Sequence, residues 1–125
     1  MATQEAVMTT KEVANRLHEL FQENKWMEAQ QELFSDDAES IEPKDSPGMQ
    51  SVKGIDAIRK KGEYFNNMVE EMHGGWVSEP IVAGKYIAVA MGMDCTYKGM
   101  GRKQMDEIAL YEVKDGKIVK EQFFY

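Results

Sequence analysis

Apolar residues recur at helical spacing through the first half of the chain and at strand spacing through the second. Val13, Leu17, Leu20 and Phe21 follow "TTKE" at 9–12, a capping box in which Thr9 and Glu12 can satisfy each other's backbone N–H groups. A first helix of about three to four turns is predicted there. Trp26, Ala29 or Gln30, and Leu33 predict a short second helix ending near Phe34. "SDDAESIEP" reads as a turn and a short strand stopped by Pro43, and 43–53, "PKDSPGMQSVK", as a loop placed to cover a pocket mouth. Ile55, Ile58, Gly62, Phe65, Val69 and Met72 then predict a long third helix, terminated by Gly74 and Gly75.

From Trp76 the period changes to two. "WVSEPIVAG", "KYIAVAMGMDCTY", "RKQMDEIALYEVK" and "KIVKEQFFY" predict strands joined at Gly84, at "KGMG" and at "DG". Helices first and hairpins last make one α+β domain over 1–125, with no repeat or linker inside it.

One residue of the last strand breaks its pattern. Val119, Phe123 and Tyr125 alternate as an inner face should, and Glu121 lies among them. The preceding strand divides into Met105, Glu107, Ala109, Tyr111 and Val113 against Gln104, Asp106, Ile108, Leu110 and Glu112, the first set being inner. Ile118, Lys120, Gln122 and Phe124 form the outer set of the last strand. Paired residues share a face, so inner must meet inner. A two-residue Asp115-Gly116 turn would set Leu110 opposite Glu121; a three-residue Lys114-Asp115-Gly116 loop sets Ala109 there and is expected. Glu107 is then diagonal to Glu121, close enough to share a proton, a water or an ion. Burial and like charge would raise both pKa values, the mark of a site candidate. Ile87, Val89, Met91, Met93, Cys95 and Tyr97 supply an apolar face beside them. The expected pocket wall is Met68, Met72, Trp76, Met91, Met93, Met105, Ala109, Tyr111, Phe123 and Tyr125. The competing reading is an exposed strand face on which Glu107 and Glu121 pair with Lys or Arg.

Composition narrows the classes. A net charge of −7, from 22 acidic and 15 basic residues, argues against nucleic acid or an anionic membrane, and "RKK" at 59–61 is too short to form a basic stripe. The single cysteine, Cys95, lies in an apolar run and builds neither a disulfide nor a cysteine zinc site. No apolar stretch reaches the ~20 residues of a membrane span, and the polar start lacks a signal peptide's regions, so a soluble, cytoplasmic protein is expected. Ten methionines are many for 125 residues; thioethers line adaptable cavities as well as ordinary cores.

Three helices followed by a curved meander, with "LFSDDAESIEP" after the second helix and "ALYEVKDGKIVKEQFFY" at the end, resemble the nuclear-transport-factor-2-like superfamily. Within it the chain is most similar to SnoaL-like polyketide cyclases and ketosteroid isomerases. The resemblance implies a cone-shaped barrel of three N-terminal helices packed on a curved, mainly antiparallel sheet, and a homodimer formed through the outer sheet face. It sets Glu42 of "IEP" at the isomerases' catalytic base and His18 at their oxyanion tyrosine. Ala109 stands where the family has a protonated aspartic acid, a vacancy that Glu121 is expected to fill. The implied chemistry is proton transfer next to a carbonyl by Glu42, His18, Glu107 and Glu121, without organic cofactor or metal, on a small apolar or carbonyl-containing ligand. The alternative is a non-catalytic ligand-binding or dimerisation module of the same fold.

Overall fold

A computed structural model describes residues 7–125. Helix α1 (Thr10–Gln22) begins at the capping box: the Glu12 N–H donates to Thr9 Oγ1 at 3.1 Å and the Thr9 N–H to Glu12 Oε1 at 2.9 Å. Its buried stripe is Val13, Ala14, Leu17, Leu20 and Phe21. Asn24, at φ +59°, turns the chain into α2 (Trp26–Leu33). Strand β1 (Phe34–Ile41) follows at once; the expected intervening turn is absent, because Phe34 is already extended and packs edge-on against Tyr111 in the core. A loop leads to the two-residue β2 (Val52–Lys53), which pairs back on β1.

Helix α3 is shorter than its apolar spacing predicts. It covers Ile55–Met68, and Val69–Val77 is strand β3, with Gly74 and Gly75 inside the strand rather than at a helix cap. The twelve-residue β5 (Tyr86–Tyr97) would otherwise leave an edge of unpaired backbone groups, and β3 pairs along it from Val69↔Tyr97 to Val77↔Met91. Those bonds outweigh the three- and four-residue spacing of Val69 and Met72. His73 is therefore a strand residue, its Nε2 at 2.7 Å from Thr96 Oγ1. Pro80, which has no N–H, divides the next predicted strand, leaving β4 (Ile81–Ala83) as a separate short partner of β5.

Strands β5, β6 (Gly101–Lys114) and β7 (Lys117–Phe124) form the antiparallel centre, and β1 joins β7 in parallel. The sheet runs β2-β1-β7-β6-β5-β3 and stays open, since its two edge strands do not pair with each other. The result is the expected α+β architecture of three helices on a curved, mostly antiparallel sheet, without closure. Leu17, Leu20, Leu33, Ile58, Ile87, Tyr111 and Ile118 fill the space between helices and inner sheet face. No helix among the described residues is long and apolar enough to cross a membrane.

The terminal hairpin reaches its inner face by a route other than the one predicted. Asp115 and Gly116, at φ +51° and +76°, form a two-residue turn between Lys114 and Lys117. Val113 pairs with Ile118 but Glu112 pairs with Lys120, so Val119 is an extra residue, a bulge. Ile118 is thus inner, and fully buried, and the bulge inverts the alternation so that Glu121 is inner as well. Its partner is Tyr111; Ala109 pairs with Phe123.

Candidate active site

Helices α2 and α3, the β1–β2 loop and the inner face of β5–β7 enclose a cavity of about 200 Å³. Its walls are largely thioether and aromatic, broken by the carboxyls of Glu42, Glu107 and Glu121, by Lys61 and by the amides of Gln30 and Asn66. Met72, Met91, Met93, Met105, Tyr111, Phe123 and Tyr125 line it, with Glu42, Glu107 and Glu121. Met68 at the end of α3, Trp76 on the β3 edge and Ala109 do not; Ala109 is fully buried between Val89 and Phe123. His18 also lies off the wall. Phe21, one turn further along α1, takes that place, stacked on Trp26 at 4.1 Å, while His18 Nδ1 is buried with no hydrogen-bond partner among the described residues.

Two site residues escaped the sequence reading. Lys61 extends from α3, its side chain only 10 % exposed, and its Nζ lies 2.5 Å from Glu42 Oε2. It also donates to Ser40 Oγ at 2.7 Å, and Ser40, fully buried on β1, donates in turn to Glu121 Oε1 at 2.7 Å. Tyr125 donates to Glu42 Oε1 at 2.6 Å. That uses its one phenolic hydrogen, so Ser46 of the β1–β2 loop is the donor in the 2.6 Å contact with Tyr125 Oη. Burial, followed by the bond to Glu42, pushes the Tyr125 phenol up to about 12. The spacing that marks α3's inner face, Ile58 to Gly62 to Phe65, also includes Lys61, three residues after Ile58. That was the available signal.

Glu107 differs from its neighbours. Glu42 is held by Lys61 and Tyr125 and Glu121 by Ser40, whereas no hydrogen bond reaches the Glu107 carboxyl among the described residues. Burial raises its pKa to about 7, the negative charges of Glu42 and Glu121 push the same way, and Lys61 opposes them. Glu121 also rises to about 7, through burial, against the pull of Ser40 and Lys61. The Tyr111–Glu121 pairing separates Glu107 and Glu121 by one more rung, about 6.8 Å along the strand, than the expected diagonal. The two therefore act on each other through the cavity as charges and not by sharing one proton. Among the described residues no three His, Cys, Asp or Glu side chains come together as a metal site.

The profile of the SnoaL-like domain matches residues 8–125. The chain belongs to the SnoaL-like domain family. A Mesorhizobium loti crystal structure, provisionally named a SnoaL-like polyketide cyclase with the bracketed name carbohydrate phosphatase, is 37% identical over 94% of this chain and 100% of that one, with a TM-score of 0.88. A Catenulispora acidiphila protein of ketosteroid isomerase-like fold, crystallised with trimethylamine, is similar at TM-score 0.70 and 16% identity, covering 94% of this chain and 87% of that one. TerC, crystallised with polyporic acid, gives 0.72 and 16% over 93% and 90%. At 16% identity these two share the fold. No curated protein matches the chain. This SnoaL-like domain thus has the fold on which cyclases and isomerases are built, with its own set of polar residues in the cavity.

Proposed function

We propose that this SnoaL-like domain binds a small, largely apolar carbonyl compound and moves a proton at the carbon beside the carbonyl, as an isomerase or cyclase does. The observation that carries the reading is Glu107, a carboxyl with no hydrogen bond among the described residues, at the wall of an apolar cavity, with its pKa near 7. A base of that pKa is half ionised at neutral pH and can both take and return a proton. Of the three ammonium hydrogens of Lys61, Glu42 and Ser40 occupy two, and the third is left for a ligand oxygen. Glu121, protonated below about 7, is a second donor for a developing enolate. Glu42, both oxygens bonded, fixes the ammonium rather than serving as the base, and His18 has no part. Two proteins of the same fold were crystallised with trimethylamine and with polyporic acid, which supports a small molecule as the ligand.

The test is exchange of a ketone's α-hydrogens in D2O, followed by NMR. The wild-type protein should accelerate exchange, and Glu107→Gln should slow it by about 100-fold or more while the fold persists. Exchange at the wild-type rate in that variant would remove Glu107 from the mechanism. One further observation favours association with a second copy: the outer sheet face exposes Ile81, Ile108 and Phe124 at 71%, 51% and 48%, and Ile108 pairs across the sheet with both Ala90 and Phe124.

A further inference from the structure

The acid-lined cavity is small for its chemistry. At about 200 Å³ it falls below the roughly 300–1,000 Å³ of ordinary ligand sites. Any larger molecule with its head at Glu107 must extend beyond this cavity. A second, open groove of about 570 Å³ lies against that cavity, between the end of α1 and strand β3. The two share Phe21, Trp26, Met72 and Met93. On one side of this boundary is the stacked Phe21–Trp26 pair; on the other are two flexible thioethers, one of them, Met72, half exposed. Beyond it, Gly74 and Gly75 bring no side chain to the β3 bank, and a Cβ on Gly74 would meet nothing within 4 Å. Gln22, Asn24 and His73 are polar residues on the border of the groove.

We infer that the groove between α1 and β3 is a second subsite for the same ligand, an elongated amphipathic carbonyl compound. Its carbonyl head sits at the carboxylates, its apolar body passes between Met72 and Met93 and the Phe21–Trp26 stack, and its distal part lies along Gly74, Gly75 and Trp76. This rests on the pocket reading above and sets a length requirement on it. Met72 and Met93 are then the residues that decide how long a ligand is admitted, since a thioether can turn aside where a branched or aromatic side chain cannot.

Acetophenone and octanophenone, which carry the same head on a short and a long tail, test this by calorimetry on the full chain. Octanophenone should bind at least about tenfold more tightly. In Trp26→Phe, where Trp76 is the remaining tryptophan, it should change the emission while acetophenone leaves it unchanged. Gly74→Phe, at a position that borders the groove and not the cavity, should weaken octanophenone about tenfold and hold acetophenone within about twofold. Equal affinities with a silent Trp76, or equal weakening of both ketones by Gly74→Phe, overturn the second subsite while acetophenone binding keeps the pocket. Failure of both ketones to bind the wild-type protein overturns the pocket reading and this inference together.

Discussion

Lys61 is the residue on which the carboxylate cluster depends. Its ammonium is the only lysine or arginine group within ion-pairing distance of Glu42 among the described residues, and both side chains are buried, at 10% and 5% exposure. Breaking a buried pair by removing one partner costs more than removing both, because the remaining charge stays desolvated. Lys61→Met should therefore destabilise the fold by about 3–5 kcal/mol in urea unfolding, and adding Glu42→Gln should recover most of the loss. A Lys61→Met protein as stable as wild type would show that the pair contributes nothing. At this scale the carboxylates were legible as charges breaking an apolar alternation, and Glu121 and Glu107 do reach the cavity. Lys61 was hidden in "RKK", where three adjacent cations look like solvated surface. Only the packing of α3 on β1 turns the third of them inward.

The elements separate along the same line. The first helix was legible to its cap, since the capping box is a local arrangement and needs no distant partner. Met72 and His73 were misplaced because an edge strand draws its stability from the strand beside it, and no local signal in 69–77 reports that β5 is there. The terminal hairpin was half legible: its inner face was right at Glu121 and Phe123 and inverted at Ile118 and Val119, where the turn and the bulge were missed. Gly116 holds that turn at φ +76°, and a Cβ there would stand 2.7 Å from Val7 Cγ1. Gly116→Ala should cost more than about 1 kcal/mol by chemical denaturation, since alanine both strains at this φ and displaces Val7 and Met8. An unchanged unfolding midpoint would show that the turn tolerates a side chain.

For the whole molecule, the buried carboxyls tie stability to pH. Glu107 and Glu121 have folded-state pKa values raised to about 7 from 4.5, so between those limits the folded chain holds protons that the unfolded chain has lost. Their contribution is fully present below about pH 4.5 and is lost as pH rises through about 7, on the order of 3 kcal/mol for one carboxyl. The melting temperature should fall from pH 5 to pH 8, and Glu107→Gln should flatten that fall; a melting temperature rising over the same range would contradict the buried placement. Association belongs to this scale as well. Ile108→Glu on the outer face should convert a dimer to a monomer by light scattering, without loss of the helical signal; a wild-type monomer would remove the proposed interface.

The amino-acid sequence by itself determined the class of fold, the succession of helices and then strands, and which face of β6 is inner. Each of those follows from periodicities that neighbouring residues set among themselves. Tertiary structure alone decided that β3 replaces the end of a helix, that a bulge at Val119 brings Glu121 inward opposite Tyr111, and that Lys61 and Ser40 join Glu42 and Glu121 while His18 stays outside. Those outcomes depend on contacts between segments far apart in the chain, such as Ser40 with Glu121, whose energy no local pattern records.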